Sequence, residues 1–395
     1  MPRLVAMLAR GSGLVSVIPG REFRAIARRL QTRTTTLVCL SIAMLSSSMS
    51  AQNKQPLRIG VAGLTHTHVH WIFNSVKNGD IEITGIAEPN RELAERYADQ
   101  YNYPKNRIYK TLAELIAAEK PEAVAAFNSI YEHLEVVEIC APKGIHVMVE
   151  KPLAVSLKHA RKMEQLANRH GIFLLTNYET TWYPTVHHAR QLMLDSSAIG
   201  PIRKIVVHDG HQGPKEIGVN KEFLDWLTDP IQNGAGALTD FGCYGADLST
   251  WLMNGQKPVS VMAVTQQIKP GIYPNVDDEA TIVLTYPESQ TIIQASWNWP
   301  FSRKDMEIYC RSGLITAKDR NNLNYRFQEK NKETEVMLPE RKPPFQDPFS
   351  FFKAVVRKEI PLDDNDLSAL PLNVTVMEIL DAAKRSAKNG KRIKL

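Results

Sequence analysis

The sequence predicts an α/β protein: a doubly wound parallel sheet towards the N-terminus, followed by an α/β domain built on a large, mainly antiparallel open sheet. Three observations carry this reading. Between residues 57 and 177, short apolar runs alternate with amphipathic stretches. After about residue 200, β-rich runs follow one another at hairpin-like spacing. The 395-residue chain is 43% hydrophobic and has no long low-complexity run, enough for a sizeable core. The expected division is a leader over 1–52, the parallel domain over 55–177 and the second domain over 178–395, with the last helices packing back on the first domain.

The elements follow in order. "LRIGVA" at 57–62 is the first strand, and a helix runs from the following turn to about Lys77. "IEITGIA" is the second strand, followed by a helix from Arg91; "EAVAAF" is the next, followed by a helix through Glu138; "IHVMVE" leads to a helix from Leu157 N-capped by Ser156; "IFLLTN" closes the series. Gly79, Gly144 and Gly171 stand where helices need a left-handed residue to stop. Apolar strands joined by helical crossovers specify a parallel sheet buried on both faces. In the second half, "RKIVVH", "PVSVMAVTQQ", "EATIVLTY", "QTIIQASW", "MEIYC" and "LITAK" read as strands, and helices from about Pro348 and Leu372 finish at Gly390.

The formal charge of +6 is not a nucleic-acid signal. Residues 1–52 hold seven arginines and a single acid, Glu22, which accounts for all of it and leaves the remainder neutral. Within that stretch, a basic segment ending at Arg33, the apolar "LVCLSIAML" and the small residues "SSSMSAQ" have the three-part pattern of a secretory signal cleaved after Ser50 or Ala51. The apolar core is too short for a membrane span. A twin-arginine signal at Arg28–Arg29, a mitochondrial presequence and a start codon placed too early are the alternatives. The expectation is export to the periplasm or beyond, with no stable membrane insertion. Cys140, Cys243 and Cys310 then remain, an odd set without the spacing of a disulfide framework or a zinc site.

The stretch "VAGLTHTHVH", 61–70, places His66, His68 and His70 at alternate positions. As a strand it would aim all three at a metal. As a helix opening, which the end of the first strand at Ala62 favours, His66 and His70 share a face and His68 points elsewhere. A barrel-type metal hydrolase would need strand–helix alternation to the C-terminus, whereas the second half is β-rich. The competing reading is positional: the first strand–helix turn of such a sheet holds a dinucleotide's pyrophosphate on free N–H groups. A G-x-G-x-x-G pattern would fall on Gly63, Thr65 and His68, so one glycine remains. Glu88, 25 residues on at the end of the second strand, suits a ribose diol and favours NAD over NADP, although Arg91 keeps NADP open. His66 and His68 are therefore read as cofactor contacts, with no metal.

Stronger than any of these is "HVMVEKPLAVSLKHARKMEQLANRHG", which resembles the Gfo/Idh/MocA oxidoreductases through its Glu150-Lys151-Pro152. "AFNSIYEHLEVVEICAPKGIHV" resembles the family's preceding segment, including Asn128 and His133, and "GAGALTDFGCYGADLSTWLM" resembles its G-x-L-x-D-x-G-x-H/Y motif. "SAIGPIRKI" and the C-terminal "VMEILDAAKRSAKNGKRIKL" also agree, so the similarity covers about 57–395. The resemblance implies a Rossmann domain and a sheet-based substrate domain, dimers or tetramers built through that sheet, and NAD or NADP. It implies a small-molecule sugar or polyol substrate. With Gly63, Thr65, His66, His68 and Glu88 read from position, the resemblance adds Asn128, His133, Glu150 and Lys151 along the cofactor. Lys151 stands by the nicotinamide and the substrate hydroxyl, Asp240 binds substrate, and Tyr244 falls where many members carry a catalytic histidine.

The chemistry agrees with those residue types. Oxidising an alcohol carbon requires its hydroxyl proton to leave, so a positioned acceptor is needed; a tyrosine serves if a cation such as Lys151 stabilises its phenolate. A helix starting near Asp240 would put Asp240 and Tyr244 on one face. Asn177, Glu179, His208, His211, Trp226 and Trp297 are further candidates for the substrate pocket. Export, where free NAD(P) is scarce, suits a tightly held cofactor recycled within each turnover, or a redox-neutral NAD-dependent glycosidase. The eroded glycine loop also leaves open a carbohydrate-binding protein that has lost its cofactor.

Overall fold

The computed structural model describes residues 55–195 and 199–395; the leader assigned above lies outside them. Six strands form the first sheet: β1 (Leu57–Ala62), β2 (Ile81–Ala87), β3 (Ile108–Tyr109), β4 (Ala123–Ala126), β5 (His146–Glu150) and β6 (Leu174–Asn177). Their order is β3-β2-β1-β4-β5-β6, parallel throughout. This is the doubly wound sheet expected. Side-chain alternation divides its faces: Leu57, Ile59, Val61, Ala123 and Ala125 enter one core cluster, while Ala62, Val124 and Ala126 enter another. Two elements carry no strong pattern in the sequence and were not foreseen, the two-residue β3 and the helix Leu112–Glu119 with its Thr111/Glu114 capping box.

The second sheet has nine strands: β7 (Ile202–Gly210), β8 (Ser260–Gln266), β9 (Glu279–Thr285), β10 (Gln290–Ser296), β11 (Arg303–Cys310), β12 (Gly313–Ala317), β13 (Asn322–Phe327), β14 (Thr334–Met337) and β15 (Ile393–Lys394). The order is β14-β13-β12-β11-β7-β10-β9-β8-β15, and every pair is antiparallel except β7 with β10. The larger core cluster is continuous from Val147 and Val149 beneath the parallel sheet to Ile205, Ile293 and Ile308 in the second. Helix Pro348–Val356 ties back through Lys353 to Asp80 (2.7 Å) and Arg357 to Glu122 (2.6 Å). Among the described residues no helix is long and apolar enough to cross a membrane.

Gly63 ends β1 with φ +76°, and a Cβ there would lie 2.6 Å from the Asn128 Cβ and 2.8 Å from its backbone. The glycine is thus required by the turn itself, with or without phosphate. Gly63→Ala is expected to cost about 1–3 kcal/mol through the left-handed backbone and that contact, read as a lower urea midpoint.

Candidate functional site

The turn after β1 is closed by the protein's own groups. Leu64 N–H donates to Glu88 Oε2 (2.8 Å) and Asn90 N–H to Glu88 Oε1 (2.9 Å), so each oxygen of this buried carboxylate accepts one backbone N–H. Burial raises its pKa. His66 N–H donates to Phe127 O (2.8 Å). Helix Val69–Ser75 begins only after His68, so helical spacing does not apply to residues 63–68. His66 and His68 consequently come together, with ring centroids 4.5 Å apart, and it is His70 that turns away, to Tyr101 and Tyr97. The expected pairing of His66 with His70 is corrected accordingly.

His66, His68 and Glu150 offer three atoms within 4.8 Å of one another, a grouping with metal-ligand chemistry. The hydrogen bonds are against that use. His68 N–H donates to His66 Nδ1 (3.1 Å), and burial keeps the His66 ring neutral, its pKa well below 6.5, so its single proton sits on Nε2, the atom a metal would need. His68 Nδ1 meets Glu150 Oε2 at 2.9 Å, and Glu150 Oε1 accepts from Asn177 Nδ2 (2.8 Å). Within the cluster only His66 Nε2 is buried without a partner.

A dinucleotide fits what remains. Three buried side-chain atoms along this edge have no partner: His66 Nε2, Asn128 Oδ1 and His133 Nε2. His133 Nδ1 meets Leu153 O (3.2 Å) and therefore holds the proton, leaving Nε2 an acceptor. One donor and two acceptors answer a ligand carrying hydroxyls and an anionic or carbonyl oxygen. Thr65 lies in the same turn, its hydroxyl 3.4 Å from Phe127 O. Phe223 and Trp226 of helix Lys221–Leu227 pack on His66, at 4.8 and 5.8 Å between centroids, and Arg96 pairs with Glu222 (2.9 Å). The second half of the chain thus reaches over the turn.

Across this edge lies a cavity of about 420 Å³ onto which Lys151, Asp240, Tyr244, Lys304, Glu179 and His211 all face. Lys151, directly after β5, donates to the Asp240 carboxylate and to Asp240 O (3.0 Å). Burial acts to neutralise this ammonium, but the field and the hydrogen bond of Asp240 outweigh it and its pKa lies above the usual value. Burial likewise acts against the Asp240 charge, and Lys151 more than offsets it, so the carboxyl is held below its usual range. Trp297 Nε1–H donates to Asp240 Oδ2 (2.9 Å) and is fully buried, which makes it a support for Asp240 and not a sugar-stacking ring. Asp240 ends a short helix, Ala237–Asp240; after a break at Phe241 a second helix, Gly242–Leu252, carries Tyr244. No single helix starts at Asp240, as the sequence had suggested; the break itself turns both side chains into the cavity.

Tyr244 lies between two ammonium groups. Lys151 Nζ is 5.2 Å and Lys304 Nζ 4.6 Å from its ring centroid, and it is Lys304 that donates to its hydroxyl (3.4 Å). Even so, burial and the surrounding acids raise the phenol's pKa well above 10, so Tyr244 keeps its proton at rest. Lys304 also pairs with Glu179, whose pKa falls to about 2 because Lys304 outweighs the effect of burial. His211 is neutral, its pKa lowered by burial to about 4. Its Nδ1 accepts Gly213 N–H (2.9 Å), so Nε2 carries the proton.

Of the other candidates, Asn177 bridges Glu150 and Trp182 inside the protein, His208 pairs with Asp305 (2.8 Å), and Trp226 covers His66. Lys304 was missed. Its signal was parity: in "RKDMEIYC" it shares its strand face with Met306, Ile308 and Cys310, and it stands opposite Asp209 on β7.

Two family models match the chain. Residues 57–178 match "Oxidoreductase family, NAD-binding Rossmann fold", and residues 186–316 match the GFO/IDH/MocA C-terminal domain. Among curated relatives, trans-1,2-dihydrobenzene-1,2-diol dehydrogenase of Xenopus laevis is 30% identical over 224 residues, 55% of this chain and 61% of that protein. The Mus musculus enzyme of the same name is 26% identical over 233 residues, 58% and 65% of the two chains. The chain thus spans less than two thirds of these relatives' lengths. Among solved structures, the fold is shared with aldose-aldose oxidoreductase from Caulobacter crescentus complexed with glycerol, at TM-score 0.73 and 20% identity, covering 86% of this chain and 100% of that one. It is shared equally with an inositol dehydrogenase homolog complexed with NAD+ from Azotobacter vinelandii, at TM-score 0.73 and 16% identity, covering 86% and 98%.

Two outcomes are expected. His133 is buried and neutral with its pKa lowered from 6.5 to about 4, so the unfolded chain takes up its proton first on acidification. Its contribution is fully present above 6.5 and is lost as the pH falls towards 4, at up to about 1.4 kcal/mol per pH unit. Urea midpoints measured across that range should fall more steeply in the native protein than in His133→Gln. Exhaustive dialysis against EDTA should leave the thermal midpoint unchanged, and added zinc should not raise it.

Proposed function

Because the chain belongs to the GFO/IDH/MocA family of oxidoreductases with an NAD-binding Rossmann fold, we propose that it is an NAD(P)-dependent oxidoreductase acting at a hydroxyl or ketone carbon of a sugar or polyol. The observation that carries this reading is the convergence of the Lys151 ammonium, the Asp240 carboxylate and the Tyr244 phenol on one cavity beside the cofactor edge. Asn128, His133 and His66, with their unpartnered atoms, and Glu150 would hold the cofactor. When bound, the nicotinamide supplies or accepts the hydride.

The chain's own groups handle the substrate oxygen and its proton. Lys151 places a permanent positive charge where an alkoxide develops, and its hydrogen bond to Asp240 fixes it there. Tyr244, held protonated, donates to an oxygen gaining electrons, as ketone reduction requires, and Lys304 stabilises the phenolate left behind. His211 Nε2–H is a second donor into the cavity, and Asp240 accepts from a substrate hydroxyl.

A protonated phenol also suits departure of a glycosidic oxygen, which keeps the redox-neutral NAD-dependent glycosidase as a second reading. Export behind the leader, a retained cofactor and a homo-oligomer formed through the nine-stranded sheet belong to the same proposal.

The test begins with denaturing the purified protein and analysing the supernatant for nicotinamide dinucleotide, which should be found. Its absence, with no thermal shift on adding NAD or NADP, would instead favour a cofactor-free carbohydrate-binding protein. Against a panel of sugars, ketosugars and aryl glycosides, Lys151→Ala should abolish turnover yet retain dinucleotide. Tyr244→Phe should lower kcat by roughly 10²–10⁴-fold with little change in KM. Turnover confined to the glycosides would select the second reading.

A further inference from the structure

A second cavity, about 370 Å³, shares a wall with the catalytic one. The 3-10 turn Glu179–Trp182 gives Glu179 to the catalytic cavity and Thr181 and Trp182 to the other. Two guanidiniums face this second space, and neither has a carboxylate within ion-pair distance among the described residues. Arg341 donates to Thr181 O (3.2 Å) and Arg190 to Asn254 Oδ1 (3.4 Å). Each has five N–H donors, most of them unused.

Both are held in place by aromatic rings: Arg190 Cζ is 4.5 Å from the Trp251 centroid and Arg341 Cζ 5.2 Å from that of Phe345. A guanidinium held against a ring face in this way keeps N–H donors free for an anion. Burial lowers the pKa of Arg341 to about 10, a measure of how incompletely it is compensated. The buried Thr181 hydroxyl also lacks a partner.

The rest of the lining narrows the ligand. Asp363 and Asp366 also face the cavity; one oxygen of each takes a nearby backbone N–H, leaving the other to accept. A bare anion would meet these acids and give them nothing, whereas a neutral sugar would leave both guanidiniums unpaired. We propose that this cavity binds a small polyhydroxy carboxylate, a sugar acid, with its carboxylate on Arg341 and Arg190 and its hydroxyls on Asp366 and Thr181. The volume lies within the range of small-molecule sites.

Trp182 and Trp251 in the wall make binding visible as a change in intrinsic fluorescence, confirmed by calorimetry. Gluconate and glucuronate should bind saturably to the full chain. Affinity should fall by about tenfold or more in Arg341→Gln and in Arg190→Gln, the loss of a charged hydrogen bond, and stay unchanged in folded Lys151→Ala, whose side chain lines the catalytic cavity and not this one. Circular dichroism establishes that each variant is folded, and the half-buried Arg190 serves if Arg341→Gln is not. Four results would overturn the assignment: no binding of either acid, undiminished binding in a folded arginine variant, loss of binding in Lys151→Ala, or glucose, acetate or inorganic phosphate binding as tightly as gluconate.

Discussion

The contact between Lys151 and Asp240 is the constraint around which this molecule is arranged. It joins the end of a strand in the parallel sheet to the end of a short helix in the second half, 89 positions further along the chain, with both partners buried. Desolvating two charges costs several kcal/mol each and is offset only when the geometry is good and the remaining polar atoms are bonded. Here Lys151 takes two oxygens of Asp240, and Trp297 takes the remaining carboxylate oxygen. An arrangement of this kind is weak as a source of stability and strong as a source of position, because loss of either partner would leave a buried charge unpaired.

That placement sets the electrostatics of the cavity. Burial and the neighbouring acids leave the Tyr244 phenol protonated, and the same acids outweigh burial at Lys151 and Lys304 and keep both ammonium groups charged. Asp209, buried opposite Lys304, has its pKa raised well above the usual carboxyl value by burial, against the pull of Lys304. The catalytic cavity thus holds two proton donors, the Tyr244 phenol and His211 Nε2–H, beside the charged ammonium groups of Lys151 and Lys304. It is organised around an oxygen that becomes negative.

On the cofactor side the same economy of atoms is visible. Where a turn richer in glycine would leave N–H groups free, this one uses Glu88, Phe127 O and the His66 ring to satisfy them, and two histidines supply side-chain groups in place of bare backbone. Glu150 then links the turn to the interior through His68 and Asn177, and Asn177 to Trp182 at the wall of the second cavity. The dinucleotide edge and both cavities are thus in contact through one run of hydrogen-bonded side chains.

The sequence by itself determined the two sheets, most of their strands and the helix stops. These rest on local quantities: the period of apolar residues, capping residues and glycines where φ must be positive. It also singled out Lys151, Asp240 and Tyr244, through motifs in which residue type and spacing occur together. What only the tertiary structure decided were relations between distant segments. Glu88 accepts from Leu64 and Asn90, Trp297 supports Asp240, His68 rather than His70 joins His66, and Lys304 faces Tyr244 from a strand 60 positions away. A periodicity reports which side of its own element a residue occupies; which partner waits there, and hence which protonation state is stable, depends on how remote elements are brought together and how much water they exclude.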